Sequence, residues 1–259
     1  MHVALVERLS QAVEKTWRIE QLEEANRAYN EMLGFVAHEL KNPVASMITQ
    51  GKMLQQGIWG ELEEKHEEIV GRLVSRAQHL LDLTKEYLDL ARVEAGEDSL
   101  DASQFDFIET VVQPALEMVE PDVQQRDAKV TTDHPPHLQV EGEPTTLKVV
   151  LGNLLGNAVK YGNEGGKVQV SVDGTDSKVR VSVWNEGPGF SEEMKGKLFK
   201  KFSRLPKREL VTRKGSGVGL YVSWKIIQKH GGRIWADSEE GKWARFSFEI
   251  PIYQEQADG

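Results

Sequence analysis

The 259-residue sequence contains no cysteine. A disulfide framework, a thiolate zinc site and a cysteine nucleophile are therefore excluded, and a reducing cytoplasm is the expected compartment. No stretch approaches the roughly 18 to 20 uninterrupted apolar residues of a membrane-spanning helix, and the first residues lack the layout of a signal peptide. Positive charge is also scarce, because 41 acidic residues against 32 basic ones leave a net charge of −9. We therefore expect no nucleic-acid partner.

Two regions differ in the period of their apolar residues. From about residue 5 to residue 95, Pro43 is the only proline and apolar residues recur every three or four positions, which predicts long helices. From about residue 105, alternating runs such as 168–172 and 179–183 predict strands joined in a hairpin. A chain of this length is expected to form two compact units. The predicted fold class is therefore α+β, with a helical unit followed by an α/β unit.

The predicted boundaries follow these changes of pattern. A stretch rich in Gly, Asp and Ser predicts a hinge linker at 98–103. The other expected segments are an N-terminal signalling helix or tail of an input module at 1–20, a helical unit at 21–97, an α/β unit at 104–253 and a C-terminal tail at 254–259. Within the α/β unit, strands are expected at about 105–107, 129–132, 138–141, 168–172, 179–183, 233–236 and 244–250, and helices at about 110–126, 144–161 and 219–230.

The helical region predicts a hairpin with a long apolar seam. Two consecutive steps of four around residue 40 form a stutter, which is a local unwinding of a coiled coil. A second helix follows the turn at 57–60. A hairpin with so much apolar surface cannot bury it alone, so we expect two copies to pair into a four-helix bundle. The seam residues of the first helix are Leu22, Ala25, Tyr29, Met32, Val36, Leu40, Val44, Met47, Gly51 and Leu54.

One histidine lies opposite this seam. At about 100° per residue, His38 is about 200° from the flanking seam residues and is expected to face solvent. Glu39 is adjacent, and Asn42, one turn on, returns to nearly the same face. Pro43 cannot donate to the carbonyl of Glu39, so we expect a kink one turn past the histidine. A lone helical histidine is most often simply solvated or packed, so its position alone does not decide its role.

Three polar residues share one face of the helix expected at 144–161. Asn153, Asn157 and Lys160 stand at i, i+4 and i+7, beside an apolar face of leucines. The amide oxygen of Asn157 suits Mg²⁺, which keeps several waters and shares nucleotide phosphates, and Lys160 can neutralise phosphate charge. An ordinary helix with polar surface residues would give the same pattern.

Two glycine-containing turns follow. Residues 185–189, Asn-Glu-Gly-Pro-Gly, come after a predicted strand and let the backbone approach a ligand closely. Residues 215–219, Gly-Ser-Gly-Val-Gly, lead into a helix whose N-terminus and N–H groups suit anionic phosphates. Cations are concentrated between the two turns and predict a lid over a polyphosphate, with a solvated basic loop as the alternative. They are Lys195, Lys197, Lys200, Lys201, Arg204, Lys207, Arg208, Arg213 and Lys214.

Together, five segments resemble the motifs of sensor histidine kinases, in the order of that family. Residues 35–43 resemble the H box, in which the histidine accepts phosphate. Residues 153–161 resemble the N box of the ATPase family that unites histidine kinases, gyrase, heat-shock chaperones and mismatch-repair proteins. Residues 185–189, 198–202 and 215–219 resemble the G1, F and G2 boxes.

This resemblance implies the fold and the activity. A dimeric hairpin would present His38, and an α/β sandwich of the Bergerat type would bind Mg²⁺ and ATP. The phosphohistidine would pass its phosphoryl group to an aspartate on the receiver domain of a response regulator. Glu39 would orient the imidazole and take its proton, and Asn42 would position a water for dephosphorylating the regulator. The implied ATP-binding residues are Asn153, Asn157, Lys160, Tyr161, Asn185, Gly187, Gly189, Phe199, Phe202, Arg213, Lys214, Gly215, Gly217, Gly219 and Leu220, with Asn157 also the Mg²⁺ ligand.

The sequence departs from the family pattern at Asn185. An aspartate usually accepts a hydrogen bond from the adenine amino group there, and asparagine keeps an acceptor oxygen while losing the charge. Two alternatives stay open: an ATPase of the same fold without phosphotransfer, and a degenerate, non-catalytic scaffold. The sensor module is expected to be missing from this chain, which would be the cytoplasmic core of a longer receptor, whether or not that receptor is tethered to a membrane.

Overall fold

The computed structural model describes residues 2–94, 102–175, 177–203 and 216–252, and in parts of the helical region it describes the backbone without the side chains. The chain divides into two compact units, Met1–Glu97 and Asp98–Gly259. Most of the expected hinge at 98–103 and the whole expected tail at 254–259 lie outside the described residues. Within the described ranges, every helix is too short or too polar to cross a membrane.

The first unit is a helical hairpin. Helix α1 spans His2–Gln55 and contains Pro43, and helix α2 spans Glu64–Glu94. The expected turn is present, since Gly57 and Gly60 both have positive φ angles, of 70° and 118°. Positive φ costs glycine little, which explains the choice of residue at both ends of the turn.

The two helices bury only part of the predicted seam. Val44 is buried as expected, together with Ala37 and Ile48, which the seam did not include. Val36 and Met47 are exposed in the single chain, by 41% and 62%. The predicted seam therefore lies only partly against α2, because α1 carries one apolar face toward α2 and a second one that α2 does not cover.

The second unit contains the expected strands, with bounds shifted by a few residues at most. The strands are β1 (Ser103–Asp106), β2 (Lys129–Asp133), β3 (Gln139–Gly142), β4 (Lys167–Gly174), β5 (Lys178–Glu186), β6 (Arg233–Glu239) and β7 (Trp243–Pro251). Five of them form a mixed sheet in the order β2-β4-β5-β7-β6, in which the β2–β4 pair is parallel and the other pairs are antiparallel. Strands β1 and β3 form a separate antiparallel pair.

The helices of this unit are also close to the expected ones. They are α3 (Gln113–Gln125), α4 (Pro144–Tyr161), the single turn α5 (Glu192–Lys195) and α6 (Gly219–Lys229). A π-helical turn, Ile108–Val112, leads into α3. Neither this turn nor α5 was predicted, because segments of four or five residues are too short to show a helical period.

The core lies between the helices and one face of the sheet. Alternate residues of β4 and β5 are buried, as the period of two requires. Helix α4 contributes a row of fully buried side chains, among them Leu147, Leu151, Leu154 and Leu155. Helix α4 contacts α3, α6 and β5, so its polar edge lies beside the end of β5 and the start of α6. These three elements position the candidate site.

Candidate functional site

The polar row predicted on α4 is present. Asn153, Asn157 and Lys160 are each half-buried, while the intervening Leu154 and Leu155 are fully buried in the core. The helix ends at Tyr161, which is also half-buried, and an extended Gly162 follows. The 3.6-residue period thus brings the three polar side chains to one edge of the helix.

Asn153 ties α4 to the start of α6. Its Nδ2 donates hydrogen bonds to the carbonyl oxygen of Gly219, at 3.2 Å, and to the Oγ of Ser223, at 3.4 Å. The Ser223 hydroxyl in turn donates to the same Gly219 carbonyl at 2.9 Å. Asn153 therefore positions the glycine turn that precedes α6. Sequence reasoning missed Ser223, because a helical serine bonded to the carbonyl four residues back is a common local pattern without functional meaning.

Asn157 and Lys160 offer groups suited to a metal-bound polyphosphate. The side chain of Asn157 makes no hydrogen bond to any residue that the structure describes, so its amide oxygen remains available. An amide oxygen fits Mg²⁺, which takes its other ligands from water and phosphates. No group of three or more acidic or histidine side chains that could cage a metal occurs in the described ranges. The Lys160 ammonium lies 5.6 Å from the centroid of the Tyr161 ring.

Asn185 lies at the end of β5, 3% exposed. Its Nδ2 donates to the carbonyl oxygen of Glu186 at 3.0 Å, whereas its Oδ1 accepts no hydrogen bond from the described part of the chain. The Oδ1 of an amide is an acceptor that the donor group of a ligand could use. The neighbouring Glu186 is engaged elsewhere, since one oxygen of its carboxylate accepts the backbone N–H of Lys167 at 2.9 Å.

The first glycine turn packs directly against the end of α4. A Cβ on Gly187 would lie 2.9 Å from the Nδ2 of Asn185, 3.0 Å from the Tyr161 carbonyl oxygen and 3.2 Å from the Cα of Gly162. Real Cβ atoms rarely approach so closely, so a larger residue would push β5 and α4 apart. This close approach brings Tyr161 and Asn185 together.

The same turn is held from the other side by the β6–β7 hairpin. The N–H of Gly187 donates to the carbonyl of Lys242 at 3.0 Å, and the N–H of Phe190 donates to the Oγ of Ser238 at 2.9 Å. Gly189 has a φ of 54°, and any Cβ there would lie 2.5 Å from the Ser238 Oγ. Ser238 was not predicted, since its partner is 48 residues away in the sequence.

The residues of the expected lid and second glycine turn are only partly described. Phe199 is half-buried, whereas Phe202 is 55% exposed with a φ of 59°. Gly217, with a φ of 75°, packs against the backbone of Phe202 and Ser203. Gly219 begins α6 and the next residue, Leu220, is half-buried. Arg213, Lys214 and Gly215 lie outside the described residues.

A buried histidine joins the far end of α6 to the start of α4. The Nδ1 of His230 donates to the carbonyl of Ile226 at 2.8 Å, and its Nε2 accepts the N–H of Glu143 at 3.2 Å. Burial lowers the pKa of His230, although the Ile226 carbonyl and the Glu143 carboxylate favour the charged form and Lys229 opposes it. The ring is therefore neutral, with its proton on Nδ1.

The residues of the expected phosphoacceptor segment lie on α1, in the other unit. Glu39 and Asn42 are exposed. The backbone of His38 is helical, but its side chain is outside the described part of the structure. The expectation that the ring faces solvent therefore stays a prediction.

Two protein-family profiles match consecutive parts of the chain. Residues 28–96 match the His Kinase A (phospho-acceptor) domain, and residues 142–254 match the histidine kinase-, DNA gyrase B-, and HSP90-like ATPase. The solved catalytic domain of histidine kinase ThkA is 34% identical, with a TM-score of 0.53, over 59% of this chain and 99% of that one. The chain belongs to the sensor histidine kinase family.

Longer relatives extend the similarity over both units. This chain is 30% identical to the sensor histidine kinase AruS of Pseudomonas aeruginosa over 90% of its own length and 24% of AruS. ThkA in complex with the response regulator protein TrrA is 30% identical, with a TM-score of 0.56, over 86% of this chain and 61% of that one. Full-length ShkA in complex with AMPPNP is 25% identical, with a TM-score of 0.66, over 88% of this chain and 47% of that one. The chain thus spans about a quarter of the length of AruS.

Proposed function

We propose that this chain is a kinase core that uses Mg²⁺ and ATP to phosphorylate its own His38 and then passes the phosphoryl group to an aspartate of a response regulator. The observation that carries the proposal is the presence, in one chain, of a phosphoacceptor-type helix and an α/β unit in which Asn185 adjoins the end of α4 that carries the polar row. An ATPase without phosphotransfer has no use for the first of these.

The nucleotide is expected to bind between the end of β5 and the polar edge of α4. The Oδ1 of Asn185 would accept a hydrogen bond from the adenine amino group. The similar protein ShkA was solved in complex with AMPPNP, which supports a nucleotide as the ligand. The close packing of Gly187 on Tyr161 fixes the floor of this pocket before any ligand arrives. At the other end, the N–H groups at the start of α6 would face the phosphates.

Four residues of the chain are assigned roles in the transfer of the γ-phosphoryl group from ATP to His38. The neutral imidazole of His38 attacks the γ-phosphorus in line, so that a nitrogen–phosphorus bond forms as the bond to the ADP oxygen breaks. Glu39 takes the proton that the ring loses. Lys160 stabilises negative charge on the leaving phosphates, and Asn157 would hold Mg²⁺. When bound there, Mg²⁺ neutralises phosphate charge.

The regulator step uses the same helix. An unperturbed imidazole has a pKa near 6.5, so much of it is neutral at neutral pH. Phosphohistidine is a reactive donor, and an aspartate of the regulator would accept its phosphoryl group. Asn42, exposed one turn after His38, would position a water for the reverse task of dephosphorylating the regulator. The likeness to ThkA, solved in complex with TrrA, supports a receiver domain as the partner. Because ATP is the proposed substrate, the reaction is assigned to the cytoplasm.

A homodimer is part of this proposal. The single hairpin leaves large apolar side chains exposed on both helices, among them Met47 by 62%, Leu73 by 59% and Leu80 by 47%. Apolar surface of this extent on a hairpin favours a second copy, which would complete a four-helix bundle. The molar mass in solution, measured by light scattering, tests this directly, and a monomer at micromolar concentration would contradict it.

The decisive experiment uses ATP labelled at the γ-phosphate. We expect label on the protein that is stable in base and labile in acid, and we expect it to vanish in His38→Ala. His66→Ala is the control, because His66 is an exposed histidine on α2. Free phosphate without labelled protein would favour the ATPase without phosphotransfer, and the absence of both would favour the scaffold.

A further inference from the structure

Helix α3 ends in a way that turns one arginine back toward α4. Asp127 has a left-handed conformation, with a φ of 51°. Its N–H donates to the carbonyl of Gln124 at 3.2 Å, and the N–H of Ala128 donates to the carbonyl of Val123 at 3.0 Å. These two bonds form a Schellman motif at the C-terminus of the helix, in which the left-handed position is usually occupied by glycine. The backbone of the preceding residue, Arg126, is thereby held in one orientation.

The Arg126 guanidinium binds the end of α4. One terminal nitrogen donates to the carbonyl of Lys160 at 2.9 Å and the other donates to the carbonyl of Gly162 at 3.3 Å. The last carbonyls of a helix lack partners within it and carry its negative dipole end, so a cation there forms charge-assisted bonds. The Nε of Arg126 is buried without a hydrogen-bond partner in the described ranges. This unsatisfied donor is a cost that the two carbonyl bonds must offset.

Backbone hydrogen bonds fix the position of the arginine relative to the turn after α4. The N–H of Gly165 donates to the Arg126 carbonyl at 2.9 Å, and the N–H of Lys129 donates to the Gly166 carbonyl at 2.9 Å. Strands β2 and β4 are parallel, so the loops that lead into them lie at the same end of the sheet. The two loops therefore form one bonded unit.

The opposite side of the same segment faces the end of β5. The N–H of Asn163 donates to the Glu186 carbonyl at 3.0 Å. A Cβ on Gly162 would lie 2.6 Å from the Ala158 carbonyl oxygen and 3.1 Å from the Glu186 carbonyl oxygen, which leaves no room for a side chain. The segment Lys160–Gly162 is thus clamped between the guanidinium and the strand end that carries Asn185.

We propose that Arg126 is a positioning residue of the nucleotide site, acting through the end of α4. It holds Lys160 and Tyr161 at a fixed distance from Asn185 before the nucleotide binds. The proposal rests on the proposed function, since it assigns the nucleotide to that pocket. Without the clamp, the nucleotide itself must order the segment, so its affinity falls while the chemistry of the bound complex is little changed.

The test replaces Arg126 by methionine in the whole chain, which keeps the apolar stem and removes the donors. We expect the dissociation constant for Mg-ADP, measured by titration calorimetry, and the half-saturating ATP concentration for His38 phosphorylation to rise about tenfold. The phosphorylation rate at saturating ATP should stay within about twofold. Arg126→Lys, which retains one cation but cannot reach both carbonyls as the two terminal nitrogens do, should lower the affinity only about threefold. Arg180→Met is the matched control, because Arg180 lies near the start of β5, at the opposite end of that strand from the clamp, and pairs with Glu249 at 3.2 Å.

The outcomes separate this proposal from the one it rests on. If the unmodified chain bound no Mg-ADP, the proposed function and the role of Arg126 would both be overturned. If the unmodified chain and Arg126→Met bound Mg-ADP equally, or if Arg180→Met lost as much affinity, only the role of Arg126 would be overturned. A fall in the saturated rate with unchanged half-saturation would also overturn it. If the methionine variant does not fold, Arg126→Lys decides: an affinity lowered about threefold supports the clamp, and unchanged affinity overturns it.

Discussion

Asn185 is a residue whose burial limits what can replace it. Its amide donates to the Glu186 carbonyl at 3.0 Å, a contact that a carboxylate cannot make because both atoms would be acceptors. A charge at a position 3% exposed would also lose most of its hydration. The amide therefore suits this particular strand end, while its oxygen keeps an acceptor for the proposed contact with adenine.

Asn185→Ala should lower the affinity for Mg-ADP about tenfold. The variant removes the acceptor for the adenine amino group, and a hydrogen bond left unmade in a buried site costs about 1 to 3 kcal/mol. Titration calorimetry measures the change. Asn163→Ala is the control, since Asn163 is exposed on the neighbouring turn. Equal affinity in the two variants would show that Asn185 does not read the base.

His230 should make the stability of the α/β unit depend on pH. Burial lowers its folded-state pKa below the ordinary value near 6.5, so its contribution is fully present above that value and is lost as the pH falls below it. Protonation also places a second proton on Nε2, which must then release the N–H of Glu143.

Chemical denaturation at pH 7.5 and pH 5.5 checks this expectation. The unfolding free energy of the unmodified chain should fall between the two pH values, and His230→Gln should reduce that fall. His66→Gln, an exposed histidine on α2, should leave it unchanged. The idea is wrong if His230→Gln keeps the full pH dependence.

Single residues also show where sequence reasoning succeeds and fails. The polar row on α4 follows from spacing within one helix, so it could be predicted. Arg126 and Ser238 could not, because their partners are 34 and 48 positions away and the contacts arise only when the sheet forms. The orientation of the His38 ring, on which the phosphoacceptor role depends, remains a prediction.

At the scale of elements, the helical hairpin depends on one small residue. A Cβ on Gly51 of α1 would overlap the Cγ2 of Val74 on α2, and Val74 is stiff because it is β-branched. Gly34, on the same helix, has open space where its Cβ would be. The same substitution can therefore be compared at a crowded glycine, Gly51, and at an uncrowded one, Gly34.

Gly51→Ala should destabilise the hairpin by up to about 2 kcal/mol. Overpacking costs about 1 to 3 kcal/mol, against a gain in helix propensity of about 1 kcal/mol. Gly34→Ala should gain the propensity without the overlap and raise the melting temperature. Thermal unfolding followed by circular dichroism at 222 nm compares them. A Gly51→Ala protein as stable as Gly34→Ala would refute the close crossing.

Elements were predicted best where the run of periodically spaced apolar residues is long. The strands and the longer helices came from alternation and from three- and four-residue spacing. The seam on α1 shows the limit of this signal, because periodicity reports that a helix has apolar faces and not which neighbour covers each one. Val36 and Met47 are exposed beside the buried Ala37 and Val44 for this reason.

At the scale of the whole molecule, the two units should unfold separately. Mg-ADP at 100 times its dissociation constant stabilises the unit that binds it by about 2.7 kcal/mol. We expect scanning calorimetry to show two transitions, of which only one rises with Mg-ADP. The other should fall on dilution, because the hairpin is proposed to be dimeric. A single transition that moves with both variables would contradict independent units.

The strand order has a consequence for synthesis on the ribosome. Strand β7 is the last of the described strands, yet it lies between β5 and β6, and β6 has no other neighbour in the sheet. The nascent chain therefore cannot close this sheet until Pro251 has left the exit tunnel, whereas the hairpin has by then long been available to fold. Premature termination of translation anywhere before Trp243 would release a folded helical hairpin attached to an incomplete sheet with exposed, aggregation-prone strand edges.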